Sequence, residues 1–244
     1  MHGGKSPSKR LKIALKLKTD MNYICTHKDF TEYVTEGDYT ILSTAKLNNT
    51  YSFPVVIVDN DLEPLKKSYS EGYMIKQIYL NLIDNCEEWI GVNHYRRYFN
   101  NPTDETTLPI PYKFNMHTQY AACHNINDLL KVEEIIDTYF PEYSTDYANI
   151  NILFQCNIFI MKRSDFICWY NFVFGVLKHF SIDNGLYTDD DVRKYVECNR
   201  NQYKQFEIDY QSRLHGFLME RLTTIFILKR FKDKEVVIKP IITI

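Results

Sequence analysis

Nowhere in the 244 residues does an apolar run approach the 18 or so needed to cross a bilayer as a helix. The chain also lacks any C-x-x-C pair. Its six cysteines (Cys25, Cys86, Cys123, Cys156, Cys168, Cys198) form no Cys/His cluster with zinc spacing. Most sit in apolar stretches, so free thiols in a reducing compartment are expected rather than a disulfide framework. A secretory signal is missing as well, because Leu11-Lys-Ile-Ala-Leu-Lys-Leu-Lys18 is interrupted by lysines. A cytoplasmic protein is expected, with a membrane surface as the alternative. Positive charge is scarce beyond the start: residues 1–20 hold six Lys/Arg and one Asp, leaving 23 basic against 30 acidic residues. That body, near −7, makes a poor general nucleic-acid binder, since phosphate neutralisation supplies most non-specific affinity.

What is present is ordinary in bulk and unusual in detail. A hydrophobic content of 45% and a charged content of 25% are those of a folded globular protein of one core. Nineteen Tyr and fifteen Phe supply flat amphipathic rings, suited to packing and equally to stacking on sugars or bases. Residues 1–20 read as a basic N-terminal arm, either a flexible tail or a strip touching anionic lipid through Leu11, Ile13, Leu15 and Leu17.

Residues 21–244 alternate short apolar runs with helical periods. Strands are expected at Asn22 to Thr26, Tyr39 to Leu42, Pro54 to Val58, Trp89 to Val92, Ile152 to Met161 and Glu235 to Ile244, the last at an edge because of Pro240. Helices are expected over the stripe from Met74 to Cys86, after an Asn127 cap until Pro141, from Ser164 to about Phe180, and from about Gly216 to Lys229. The helix after Ser164 is apolar nearly all round and belongs inside. Asp189-Asp-Asp191 reads as a solvated loop. This alternation predicts an α/β fold, a mainly parallel sheet with helices on both faces. In such sheets polar residues after the strands gather at the ligand site. The rule selects Thr26-His27-Lys28, Asp59-Asn60-Asp61 and Asn93-His94-Tyr95-Arg96-Arg97.

Two arginines, a histidine and three aromatics directly after a buried strand suit an anion with rings beside it, because guanidinium matches phosphate oxygens in pairs. A surface pair bonded to acidic neighbours has the same composition. Asp59 and Asp61 carry hard oxygens suited to Mn or Mg, although Asp/Asn groups after strands also make turns.

The segment Gly91-Val-Asn-His-Tyr-Arg-Arg-Tyr-Phe99 resembles the hallmark of a former domain-of-unknown-function family of capsular and exopolysaccharide glycosyltransferases. Ile24-Cys-Thr-His-Lys28, Tyr69-Ser-Glu71, Asp128-Leu129 through Phe140-Pro-Glu-Tyr143, Asn157-Ile-Phe-Ile-Met-Lys162 and Arg213-Leu-His-Gly-Phe-Leu-Met-Glu-Arg-Leu222 resemble it in the same order, over Met21 to Leu228. The likeness is loose around residues 43–68, so the donor sugar's identity is not carried over.

The resemblance implies a GT-A-like (Rossmann-like) fold and hexosyl transfer from a nucleotide sugar, a UDP-sugar favoured, to a glycan acceptor, with galactofuranosyl transfer in some members. On it, Thr26, His27 and Lys28 would hold the nucleotide, and His94, Tyr95, Arg96 and Arg97 the diphosphate. Asn157 would touch a sugar; apart from the resemblance, Asp59 would touch the donor and, with Asp61, hold a metal, as the D-x-D that ends an expected strand. A carboxylate must take the acceptor's proton, for which Glu220 is expected first and Glu71 second. For Glu220 the structural alternative is an ion pair with Arg221 or Arg213, or a first-turn helix position. A nucleotide-sugar hydrolase, and a non-catalytic module binding nucleic acid or carbohydrate, stand as alternatives.

Overall fold

The computed structural model describes residues 21–26, 39–42, 64–83, 88–94, 97–99, 104–203 and 207–243, the first two segments as backbone. The N-terminal arm, the strand expected at 54–58, and His27, Lys28, Asp59, Asp61, Tyr95 and Arg96 lie outside them.

The described strands are β1 (Met21–Thr26), β2 (Tyr39–Leu42), β3 (Trp89–His94), β4 (Arg97–Tyr98), β5 (Thr107–Pro109), β6 (Phe159–Lys162), β7 (Val237–Lys239) and β8 (Ile242–Thr243). They run in the order β2-β1-β3-β6-β5-β7, with β4 joining β3 to β8 off that path. β1 is parallel to both β2 and β3, and β5 to β7. The pairs β3–β6, β5–β6, β3–β4 and β4–β8 are antiparallel. The sheet is therefore mixed, not mainly parallel. Alternating periods in a sequence reveal that strands and helices follow one another, but not from which end the chain re-enters the sheet.

Three local expectations also change. The run read as a strand from Ile152 to Met161 is strand only in β6, and is preceded by a 3-10 turn, Gln155–Asn157, in which Cys156 and Asn157 take φ of 63° and 50°. The C-terminal strand is broken into β7 and β8 around Pro240, which has no N–H to give a ladder. Asp189 to Asp191 open a helix instead of a loop.

The helices are α1 (Lys66–Tyr69), α2 (Glu71–Leu82), α3 (Met116–Cys123), α4 (Ile126–Tyr139), α5 (Arg163–Asn184), α6 (Asp189–Cys198), α7 (Ile208–Gln211) and α8 (Leu214–Arg230). α4 is capped by Asn125, whose Oδ1 accepts from the Asn127 N–H at 3.1 Å, so Asn127 is the second helical residue and not the cap. α5 runs a turn beyond Phe180 and stops at Gly185, whose φ of 68° costs a residue without Cβ little. Thr188 and Asp191 close a capping box on α6, while Asp189 reaches back to accept from the N–H groups of Lys67 and Ser68, both at 2.8 Å.

α2 packs on β1, α5 on β3 and β6, and α8 on both helices. Trp169, Phe166, Phe172 and Phe180 of α5 and Phe226 of α8 are fully enclosed. Each such ring contributes about 1.5–3 kcal/mol by leaving water. α8 also buries polar groups, and they bond to the segments around them: Thr224 Oγ1 accepts from Phe154 N–H at 3.0 Å, and His215 lies between the hydroxyls of Ser68 (2.6 Å) and Ser181 (2.7 Å). These bonds fix the 3-10 turn and α1 relative to α8, and so set the geometry of the site.

Candidate functional site

β1 and β3 are parallel neighbours with Thr26 opposite His94, so the C-terminal ends of the two strands lie side by side. His94 pairs in turn with Arg97 of the antiparallel β4. Among the described residues, the expected side chains Glu71, His94, Arg97, Asn157 and Glu220 all gather at this end of β3, supported by the N-terminus of α2, the 3-10 turn and α8.

Glu71 opens α2. Its Oε1 accepts from His94 Nε2 at 3.1 Å, and its Oε2 lies 3.4 Å from Arg213 Nη2. Burial by itself would raise this carboxyl, but the His94 hydrogen bond and the Arg213 charge outweigh it and hold the pKa down at about 2. Arg213 also donates through Nε and Nη2 to Ser70 Oγ at 3.1 and 2.7 Å. Ser70 holds φ 52°, ψ −121°, a backbone region costing a non-glycine residue about 1–3 kcal/mol. The turn can sit this close to α8 because residue 216 is glycine: a Cβ there would stand 3.2 Å from Tyr69 O and 3.3 Å from Ser70 Cβ.

Glu220 occupies the middle of α8, two turns in, and so has no first-turn helix position. Its Oε1 accepts from the Cys156 N–H at 2.9 Å and its Oε2 from Arg221 Nη1 at 3.0 Å. The Arg221 ion pair is thus present, and the Arg213 pair goes to Glu71 instead. The Glu220 side chain is 23% exposed, whereas Arg221 is buried at 2%, over the Tyr120 ring and bonded to Phe217 O and Gln119. Carboxylate oxygens accept more than one bond each, so Glu220 keeps lone pairs on its open side.

Arg97 donates from Nη1 to Cys156 Sγ at 2.7 Å. Burial pushes that thiol up to about 12, with the Glu220 charge adding and the Arg97 charge opposing. The thiol is therefore neutral at pH 7, and Arg97, unlike Arg213 and Arg221, meets no carboxylate in direct contact among the described residues. Asn157 turns inward. Its Oδ1 accepts from Thr223 Oγ1 at 2.8 Å, which in turn accepts from Trp169 Nε1 at 3.0 Å, so that oxygen serves the core.

The sequence reading missed Cys156 and underused Arg213 and Arg221, which it named only as partners for Glu220. Asn157 and the polar Gln155-Cys156-Asn157 break between apolar runs were the available signals for a turn, since Asn tolerates φ > 0. Among the described residues, no three His, Cys, Asp or Glu side chains are grouped to hold a metal.

A family profile described as a domain of unknown function, DUF4422, matches residues 103–232, more than half of the chain. The chain belongs to this family. The matched region carries Asn157 and Glu220 and begins after the Gly91 to Phe99 segment. No curated protein matches the sequence. Among solved structures, the apo structure of WbbM, a bifunctional glycosyltransferase, has a similar fold: the TM-score is 0.64 at 16% identity, covering 93% of this chain and 45% of that one. This DUF4422 chain thus spans less than half the length of that protein, and at this identity the likeness is one of fold. No helix among the described residues is long and apolar enough to cross a membrane.

Proposed function

We propose that the chain is a GT-A-like glycosyltransferase domain moving a hexose from a nucleotide sugar, a UDP-sugar favoured, to a hydroxyl of a glycan acceptor. One observation carries this reading: within a fold like that of a glycosyltransferase, the Arg97 guanidinium stands at the end of the sheet bonded to a thiol and, among the described residues, to no carboxylate, and Glu220 lies close by. A cation in that state offers its remaining N–H donors to an anion. Arg97 would grip the diphosphate and stabilise the charge that develops on it as the C1–O bond breaks. Glu220, held by Cys156 N–H and Arg221, would take the proton of the acceptor hydroxyl as that oxygen bonds to C1.

Glu71 is a poor base with a pKa near 2, and its part is to hold His94 and Arg213 in place. His27, Lys28, Tyr95 and Arg96 would complete the donor pocket around Thr26 and Arg97. A divalent ion enters this reading only through Asp59 and Asp61; loss of turnover in EDTA with rescue by Mn would favour it over cationic side chains alone.

The test is a thermal-shift screen against UDP-, GDP-, CMP- and dTDP-sugars, where a ligand at 100 times its Kd stabilises by about 2.7 kcal/mol. The wild type should respond to one of these bases, and Arg97→Ala should lose most of that response. An unchanged response in Arg97→Ala would falsify the assignment. Product analysis with and without an acceptor glycan then separates transfer from hydrolysis.

A further inference from the structure

Beside Arg97 the protein presents two aromatic rings that the transfer chemistry does not use. Tyr112 is 45% exposed and Phe114 partly so, and the two side chains meet on the same side of the chain. Their rings stack with centroids 6.0 Å apart and planes at 29°. The backbone beneath them is fixed, because Tyr112 N–H donates to Leu153 O at 3.0 Å and Leu153 N–H to Tyr112 O at 2.9 Å. Leu153 precedes Cys156 by three residues, about 11 Å at most of extended chain, and the Cys156 N–H is the group that holds Glu220. The Tyr112 phenol also lies near enough to Arg97 to act on its charge. Glu220 acts on the same Arg97 charge, so the Tyr112 ring and the carboxylate border one guanidinium. Exposed Asn149 and Asn151 flank the same segment, with Asn115 bonded to Asn151 Oδ1 at 3.3 Å. Apolar faces beside amides are the chemistry that a saccharide meets with its C–H face and its hydroxyls.

We propose that Tyr112 and Phe114 form an acceptor subsite, a platform on which a hexose ring of the glycan acceptor stacks so that one of its hydroxyls reaches Glu220. This assignment rests on the glycosyltransferase reading. The two are separable in one set of measurements: an array of hexose oligosaccharides reports the platform, and the thermal shift with UDP reports the donor pocket.

Wild-type protein should bind members of the array, and Tyr112→Ala and Phe114→Ala should each weaken that binding by about three- to tenfold, the range expected for losing one stacked ring. Tyr112→Phe keeps the ring and should bind like wild type. The UDP shift in the alanine variants should match wild type, which also shows that they are folded. Equal glycan binding by all variants overturns the proposal. So does an array on which wild type binds nothing, as does Tyr112→Phe losing as much as Tyr112→Ala. If Tyr112→Ala loses the UDP shift and keeps glycan binding, the rings hold the nucleotide and the acceptor assignment is wrong. If wild type shows glycan binding and no nucleotide shift, the donor reading has failed while the platform stands.

Discussion

Glu71, mostly enclosed, and Asp128, fully buried, are carboxylates in opposite electrostatic states. Burial would raise either one. At Glu71 the His94 hydrogen bond and the Arg213 charge overcome it and bring the pKa to about 2. At Asp128 burial wins over hydrogen bonds from the hydroxyls of Tyr195 (2.7 Å) and Tyr203 (2.8 Å), and the pKa rises to about 6. Phenols donate hydrogen bonds without bringing charge, and a cation brings both. The cation-bound carboxylate lies at the end of β3 where the donor is proposed, and the phenol-bound one ties α6 and the 199–203 segment to α4. Glu220 differs from both, paired with Arg221 on one side and open to solvent on the other, and that open side is why it is the one given a proton-transfer role.

The comparison breaks most sharply if the charge states are changed one at a time. Glu220→Gln should have the largest effect, a fall in turnover of about 10²–10⁴-fold, with the nucleotide-induced thermal shift retained. Because the substitution removes the counter-charge of buried Arg221, its melting temperature should also fall, and the thermal-shift baseline checks this directly. Full turnover in this variant would assign the base elsewhere.

Glu71→Gln comes next, in stability. Its folded pKa lies below the unfolded value of about 4.5, so its contribution is present above that value and is lost as pH falls through the folded pKa near 2. That contribution is roughly 3 kcal/mol at neutral pH. Denaturant titrations from pH 6 to pH 2 should therefore show a steep acid loss in the wild type and a shallower one in Glu71→Gln. Parallel curves would mean that His94 and Arg213 do not stabilise the ion.

Asp128→Asn should give the smallest effect and the opposite sign. The folded pKa of about 6 lies above the unfolded 3.8, so the wild type gains stability from this group as pH falls from about 6 to 4. Asp128→Asn removes the buried charge but offers two phenols a single acceptor oxygen, so the net gain at pH 7 should be about 1 kcal/mol, a rise in melting temperature of about 2–4 °C. A lower value at pH 7 would show that the phenols need the charge.

Much of the fold was legible because it repeats a local pattern. The β-branched and aromatic runs marked β1, β2 and β3, and the apolar residues of α5 announced a helix packed into the core, although it keeps an exposed side at Asn171, Lys178 and Ile182. The position of His94 and Arg97 after a strand was legible in the same way, whereas the stripe marked α2 only from Met74 and its start at Glu71 came from the family resemblance. What was missed depends on distant partners. Nothing near Cys156 demands φ > 0; the turn persists because Glu220, 64 residues on, accepts its N–H, and Thr223 donates to Asn157. Asp189 looked solvated because its acceptors' partners, the N–H groups of Lys67 and Ser68, are more than 120 residues away.

The sequence alone determined which residues could carry charge and which helices and strands would bury their apolar faces, because propensity and periodicity act over a few residues. Only the tertiary structure decided strand direction, and which partner each of three arginines and His94 would take. Arg213 found Glu71, Arg221 found Glu220, His94 found Glu71, and Arg97 found a neutral thiol. Ion pairing falls steeply with distance and changes with burial, so the same list of arginines and carboxylates has no fixed pairing until α2, α8 and the 155–157 turn are packed together.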